Sequence, residues 1–117
     1  AKVLKPGGTF LIETFVPKLD HFTDNQMVRT RRLDMESLWL EACNHDPVAQ
    51  TFHFQRVRIN HDGMKLVPFP MRYAYPPELD LMARLAGLSL KHRWGGWQKE
   101  PFTADSKMHI SVYEKLL

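Results

Sequence analysis

Few of the features that define several large protein classes are present in this chain of 117 residues. A single cysteine, Cys43, excludes an internal disulfide and favours a reducing, cytoplasmic location. No apolar run approaches the roughly 20 residues that a membrane-spanning helix needs, and no signal-peptide pattern is present. We therefore expect a cytoplasmic protein that does not act in a membrane.

Charge of either sign is only weakly in excess. The sequence has 16 basic and 13 acidic residues, a net charge of +3 and a pI of about 9.2. Two phenylalanines stand among the middle arginines, a pattern that can stack bases and bind phosphates. These residues are Arg29, Arg31, Arg32, Phe52, Phe54, Arg56 and Arg58. The signature of the common RNA-binding sheet is absent, and arginines on a solvated sheet face explain the pattern more simply. We expect no nucleic-acid partner.

Metal-binding and nucleotide-binding motifs are also absent. None of the six histidines has a metal-ligand spacing to Cys43 or to another histidine, so we expect no metal site. The six glycines include two adjacent pairs, Gly7-Gly8 and Gly95-Gly96, but no G-x-G-x-x-G loop. No residue of this chain can be assigned to a cofactor from such a motif.

The composition is that of a folded protein, with 44% apolar and 25% charged residues in a length that allows one domain. The turn Pro6-Gly7-Gly8 precedes a continuous apolar run, which predicts a buried strand of a parallel sheet at Thr9–Phe15. Near the other end, the pattern predicts a helix over Pro77–Ala86, ended by Gly87. The strands Leu88–Trp94 and Met108–Lys115 follow, and we expect them to pair antiparallel.

The middle of the chain, residues 16–75, reads as an antiparallel β-meander inserted into the rest. The expected strands are Val28–Leu33, Glu36–Cys43, Val48–Asn60 and Met64–Tyr75, with turns at His45-Asp46-Pro47 and Asp62-Gly63. The segment Glu36–Cys43 also fits a short helix, but its flanks favour a strand. Pro68 and Pro70 place the last strand at a sheet edge or at a bulge.

Several segments together resemble one family. They are the opening Leu4-Lys5-Pro6-Gly7-Gly8, the block Arg72–Leu79, the triplet Ala86-Gly87-Leu88, Trp94–Trp97, Glu100–Thr103 and the final strand His109–Glu114. Their order is similar to that of the C-terminal half of class I S-adenosylmethionine (SAM)-dependent methyltransferases. The resemblance covers nearly the whole chain and is least specific between Val16 and Met71.

The resemblance implies an α/β fold for the whole domain and an α+β fold for this fragment of it. Three strands of a Rossmann-like methyltransferase sheet would be present, with the last strand antiparallel between the other two, and the meander would cover the substrate site. It implies methyl transfer from SAM to an N, O or C atom of a small molecule. SAM would be bound mainly by the N-terminal half, so this fragment alone would be inactive. A noncatalytic module that binds a ligand or a protein through the meander is the alternative.

Two residues are candidates for catalysis. Glu13 lies at the carboxyl end of the first strand, where α/β sheets bind ligands, and could act as a general base or orient the acceptor. His21 follows in the next loop and is the best histidine candidate. The simpler interpretations are a strand-end residue and a surface histidine, because a lone histidine carries no geometric evidence.

We expect substrate contacts from five further residues, four of them aromatic: Phe15, Arg29, Tyr73, Trp94 and Trp97. Nothing near Cys43 marks it as a reactive thiol. The expected partners are a small-molecule methyl acceptor and a second copy of the chain. The apolar strand at residues 9–15 would be an unpaired edge without the missing half, and such edges associate.

Overall fold

The computed structural model describes residues 2–116. The chain divides into two units, and the Pro-Gly-Gly turn lies near the start of the first. Unit 1 consists of residues 2–18 and 74–116, and unit 2 is Leu19–Tyr73. The elements, in chain order, are β1 (Thr9–Phe15), β2 (Gln26–Leu33), β3 (Ser37–Asp46), β4 (Thr51–Asn60), β5 (Gly63–Arg72), α1 (Pro76–Leu85), β6 (Leu88–Trp94) and β7 (Met108–Lys115).

The sheet of unit 1 has the strand order β1-β7-β6, and β7 is antiparallel to both neighbours. The three predicted strands and the central place of the last one are confirmed. The glycine turn closes this sheet at one end. Gly7, at φ +81°, donates its N–H to the carbonyl of Lys115 at 2.6 Å, and the N–H of Lys115 donates to the carbonyl of Gly8 at 3.0 Å.

The prediction that the first strand is buried in a parallel sheet is wrong for these residues. β1 is an edge strand, its partner β7 runs antiparallel, and Phe10, Leu11 and Phe15 are 48%, 47% and 37% exposed. An apolar run indicates which residues favour burial, but it does not indicate what covers them. Within the described residues, β1 therefore presents one open edge.

The helix α1 packs on this sheet through a small apolar core. Pro76 begins the helix, one residue before the predicted start, and Glu78 lies in the first turn, where a carboxylate favours the positive end of the helix dipole. The core cluster consists of Ala83, Leu88 and Tyr113, with Leu4 and Ile12 packed against it.

Unit 2 is the expected meander, a four-stranded antiparallel sheet in the order β2-β3-β4-β5. The strand interpretation of the second segment is confirmed, since β3 covers most of it. β5 is an edge strand, as Pro68 and Pro70 predicted. Proline has no N–H group, and the outer side of an edge strand needs no N–H donors.

One predicted turn of the meander is displaced along the chain. β3 continues through Asp46, and residues 47–50 form the turn, so β4 begins at Thr51 rather than at Val48. The carboxylate of Asp46 accepts the N–H groups of Val48 and Ala49 at 3.0 and 3.1 Å. The aspartate caps the turn from its first position, as is common for this residue.

Seven strands, paired antiparallel, and one helix make the described residues mostly β rather than α/β. Among residues 2–116, no helix has the length and apolar character to cross a membrane.

Substitution at Gly87 tests the end of α1. Gly87 has φ +81°, where a Cβ atom is strained although no neighbouring atom would clash with it. We expect Gly87→Ala to lower the free energy of unfolding by about 1–2 kcal/mol, measured by urea denaturation. Gly87→Asn is the matched control, because asparagine tolerates this conformation, and it should cost clearly less. Equal stability of Gly87→Ala and the wild type would contradict the positive φ of Gly87 at the end of α1.

Candidate functional site

A cleft lies in unit 1 at the edge where β1 and β6 end and α1 begins. Its volume is about 640 Å³. It is lined by Val16, Tyr75, Pro76, Pro77, Arg93, Phe102, Thr103 and Ala104. This is the carboxyl edge of β1 and β6, the position at which open α/β sheets bind ligands.

The loop between β6 and β7 is folded back to form one wall of this cleft. The N–H of Gly95 donates to the carbonyl of Glu100 at 2.7 Å, and Trp94 forms a β-bridge with Pro101. A Cβ atom at Gly95 would lie 2.9 Å from the carbonyl oxygen of Pro101, so the close approach requires glycine. The fold of the loop thereby places Phe102 in the wall.

The segment after β1 holds the other end of this loop. The N–H of Val16 donates to the carbonyl of Lys107 at 2.8 Å, and the Nζ of Lys18 donates to the carbonyl of Ala104 at 3.0 Å. The loop is therefore fixed at both ends, which gives the cleft a defined wall.

Arg93, the charged residue among those that line the cleft, is held by four hydrogen bonds. Its side chain is 13% exposed, and its Nη1 and Nη2 donate to the two carboxylate oxygens of Asp80 at 3.1 and 2.5 Å. Its Nε donates to Ser111 Oγ at 2.9 Å, and Nη2 also donates to the hydroxyl of Tyr113 at 3.2 Å. The Tyr113 hydroxyl in turn donates to Asp80 at 2.7 Å. We call Asp80, Arg93, His109, Ser111 and Tyr113 the polar network.

The charges of this network balance at neutral pH. Burial alone would raise the pKa of Asp80, but the hydrogen bonds from Arg93 and Tyr113 and the charge of Arg93 hold it below its ordinary value. Burial, together with the bond to Asp80, raises the pKa of Tyr113 to about 12. Asp80 is thus ionised and Tyr113 neutral, so the carboxylate offsets the guanidinium.

His109 ends the network inside the sheet. The residue has no exposed surface, and its Nδ1 lies 2.7 Å from Ser111 Oγ. The same oxygen accepts from Arg93 Nε, so Ser111 joins the imidazole ring to the guanidinium. Nε2 has no hydrogen-bond partner among the described residues. Burial, and then the charge of Arg93, lowers the pKa of His109, so the ring is neutral.

Four of the residues proposed from the sequence lie in unit 1, and the structure joins two of them. The indole Nε1 of Trp97, a residue that is 58% exposed, donates to Glu13 Oε2 at 2.8 Å. Trp94 stacks on His92 with ring centroids 4.9 Å apart, and Phe15 is the last residue of β1. Among the described residues, none of these four lines the cleft. Their roles in catalysis and substrate binding stay predictions.

The other three proposed residues lie in unit 2. His21 is half exposed and helps to line a second concave surface, of about 520 Å³. Arg29 forms an ion pair, 3.4 Å long, with the buried carboxylate of Glu41. Tyr73 is 5% exposed, and its hydroxyl lies 2.9 Å from His45 Nε2. Tyr73 thus takes part in the aromatic packing of the unit, and the substrate roles of these three residues also stay predictions.

Cys43 lines the same surface of unit 2 as His21. Burial, followed by the charge of Glu41, raises the pKa of its thiol to about 11. The thiol is therefore protonated at neutral pH, in accord with the expectation that it is not a nucleophile. The described residues include no group of three or more histidine, cysteine or acidic side chains that could hold a metal ion.

The polar network is not evident from the sequence alone. One signal was available on β7, where His109, Ser111 and Tyr113 alternate with apolar residues and so share one face of the strand. Polar residues on one face of a central strand indicate a buried network. Their partners Asp80 and Arg93 are brought to them only by the tertiary fold.

The buried His109 predicts a specific pH dependence of stability. Its pKa is lowered from 6.5, so the unfolded chain binds more protons as the pH falls below about 6.5. The stabilising effect of the neutral ring is complete above that pH and is lost progressively towards the folded-state pKa. We expect the free energy of unfolding to fall on acidification, by at most about 1.4 kcal/mol per pH unit for this one group.

Urea denaturation of His109→Phe between pH 7 and pH 5 checks this dependence, since the variant should show a flatter profile than the wild type. His61→Phe is the control, because the side chain of His61 is 76% exposed. If the free energy of unfolding of His109→Phe depends on pH as steeply as that of the wild type, His109 is not the source of the pH dependence.

Comparison with known proteins gives matches only among solved structures. No protein-family model matches the chain, and no curated protein matches it. The CcbJ methyltransferase from Streptomyces caelestis is 38% identical, with a TM-score of 0.89 over 97% of this chain and 49% of that chain.

Two further methyltransferases show the same fold at lower identity. An S-adenosylmethionine-dependent methyltransferase from Clostridium acetobutylicum is 9% identical, with a TM-score of 0.78 over 99% of this chain and 48% of that chain. The amino pentose methyltransferase CalS10 from Micromonospora echinaspora, solved with SAM bound, is 14% identical. Its TM-score is 0.52, over 96% of this chain and 45% of that chain.

The chain thus spans about half the length of each of these solved relatives. It matches the C-terminal half of the SAM-dependent methyltransferases, which confirms the resemblance in its sequence.

Proposed function

We propose that the chain forms the acceptor side of a SAM-dependent methyltransferase that acts on a small molecule. The observation that carries the proposal is the cleft, which lies at the carboxyl edge of the sheet of unit 1 in a chain that is 38% identical to CcbJ. In this proposal the cleft binds the methyl acceptor and holds its nucleophilic atom in place. Such positioning supplies much of the catalysis in a reaction between two bound molecules.

The described residues do not fit SAM itself. A nucleoside-binding loop needs glycines whose open side faces the ligand. Gly7, Gly63 and Gly87 occupy turns at positive φ, and none of them stands between a strand and the start of a helix, where such a loop lies. Gly8, Gly95 and Gly96 are closed against their own chain, and a Cβ atom on Gly96 would meet the carboxylate of Glu100. SAM, which supplies the methyl group when bound, would be held mainly by residues outside this chain.

Among the residues that line the cleft, none is a carboxylate or a histidine, so the cleft itself contains no general base. An acceptor that must lose a proton would need a base from elsewhere. Glu13 is our proposed base within unit 1, and its bond from Trp97 fixes one carboxylate oxygen. His21 of unit 2 is the second candidate.

Calorimetric titration with SAM tests the first part of the proposal. We expect no binding of SAM to this chain at micromolar concentrations, because no nucleoside cradle is present among its described residues. The fold should be checked in the same sample by the dispersion of its amide NMR spectrum. Clear micromolar binding to the folded chain would contradict the assignment of SAM to residues outside it.

A chimaera tests the second part. The N-terminal half of CcbJ is joined to this chain, and formation of S-adenosylhomocysteine is measured with the acceptor of CcbJ. We expect turnover, and we expect Phe102→Ala to lower kcat/KM by at least about tenfold, because the aromatic wall of the cleft is removed. The affinity for SAM should not change.

Phe10→Ala is the matched control for Phe102→Ala, since Phe10 lies on β1 and does not line the cleft. Loss of SAM affinity in Phe102→Ala without an effect on kcat/KM at saturating SAM would contradict an acceptor site at the cleft.

We also propose that the open edge of β1 pairs with a strand of a second copy. Exposed apolar edge strands associate readily, and Phe10 and Leu11 are each nearly half exposed. Sedimentation velocity should show association that rises with protein concentration. Leu11→Lys should weaken it, whereas Leu81→Lys, at a position 58% exposed on α1, should not. A single monomeric species at all concentrations would contradict the pairing.

A further inference from the structure

We propose that the cleft of unit 1 selects an uncharged, largely apolar methyl acceptor. This molecule would present one oxygen atom that accepts a hydrogen bond from Arg93. The inference rests on the proposed function, since it names the class of molecule that the acceptor site takes. It is drawn from the lining of the cleft, from the hydrogen bonds of Arg93 and from the charges around it.

The walls of the cleft are mostly apolar. Val16, Pro76, Pro77, Phe102 and Ala104 contribute carbon surface, and only Tyr75, Arg93 and Thr103 contribute polar side chains. Burial of apolar surface gains about 25 cal/mol per Å². A hydrocarbon or aromatic body therefore fits these walls better than a fully polar molecule does.

Arg93 keeps one donor that the protein does not use. A guanidinium group has five N–H bonds. Four hydrogen bonds use Nε once, Nη1 once and Nη2 twice, and no further hydrogen-bond partner of Arg93 is found among residues 2–116. One N–H of Nη1 remains, on a residue that lines the cleft. A carbonyl, ether or hydroxyl oxygen of the bound molecule can accept it.

The positive charge of Arg93 is offset by Asp80 and therefore does not attract an anion to the cleft. Asp80 meets the guanidinium with both oxygens, and Tyr113 also bonds to that carboxylate. An incoming carboxylate would approach Asp80 as a like charge and would lose its own hydration in an apolar cleft. A cation would meet Arg93 as a like charge, while Asp80 is already paired.

Lys18 and Arg84 are further cations near the cleft and Asp80. The Nζ of Lys18 donates to the backbone carbonyl of Ala104, at an exposed position. Solvent and salt screen such a charge, so it contributes little to selectivity. The pair Asp80–Arg93, which is largely buried, decides the preference.

Three benzene derivatives of similar size and different charge test the inference: methyl benzoate, benzoate and benzylamine. Each is titrated into the whole chain at pH 7, and backbone and Arg side-chain shifts are followed by NMR. We expect methyl benzoate to shift the signals of Arg93, Phe102 and Thr103. We expect benzoate and benzylamine to bind about tenfold more weakly, a ratio equal to about 1.4 kcal/mol.

Asp80→Asn tests the cause of the preference. The amide keeps a hydrogen-bonding side chain but removes the negative charge, so Arg93 is no longer offset. We expect the preference to move towards benzoate by at least about tenfold relative to the wild type, equal to about 1.4 kcal/mol. Lys18→Gln is the matched control at the edge of the cleft and should leave the order of the three probes unchanged.

The outcomes separate this inference from the proposed function. Stronger binding of benzoate than of methyl benzoate at the cleft of the wild type would overturn the selectivity and leave the site in place. A lack of shifts at Arg93, Phe102 and Thr103 with all three probes would count against the cleft as the acceptor site itself. If Asp80→Asn does not fold, the order of the probes on the wild type still decides the inference.

Discussion

The paired Asp80 and Arg93 are the interaction on which unit 1 depends. Asp80 belongs to α1 and Arg93 to β6, so the pair joins the helix to the sheet at the carboxyl edge. Their side chains are 24% and 13% exposed, and ions so far removed from water are tolerated only when their hydrogen bonds are satisfied. Ser111 and Tyr113 of β7 supply further hydrogen-bond partners to the pair. Removal of either member of the pair would leave an unmatched charge near the core.

This constraint explains how an arginine can stand in an apolar cleft. An isolated guanidinium there would lose hydration without compensation, whereas Asp80 offsets its charge and fixes its plane. The result is a donor of defined direction in a neutral wall. His109 extends the same logic inward, because its burial and the nearby Arg93 keep it neutral, and a second positive charge is avoided.

The parts of the fold that depend on local patterns could be predicted from the sequence. The Pro-Gly-Gly turn, the period of α1 and the β-prone runs of the meander place the elements within a few residues. The order β1-β7-β6 came instead from the resemblance, since strand order is a property of long-range contacts. The burial of β1 was wrongly predicted because an apolar run does not specify its cover.

The site was harder to predict for the same physical reason. Glu13 and Trp97 are separated by 84 positions, yet both were proposed, because strand ends and aromatic loops are recognisable locally. Asp80, Arg93 and Ser111 look ordinary one by one on a helix and two strands. Only their convergence, across separations of 13 and 18 positions, makes them a network.

The position of the network on β7 also determines which substitutions can report on binding alone. β7 is the central strand, and Ser111 and Tyr113 are buried in it while they hold Arg93. Changes at these residues therefore alter sheet stability and the cleft together. Phe102 and Thr103 belong to the loop before β7 and line the cleft directly, although the Phe102 ring also packs against His109. Binding to unit 1 is best separated from its folding at the loop residues, and the stability of the network is best measured on β7.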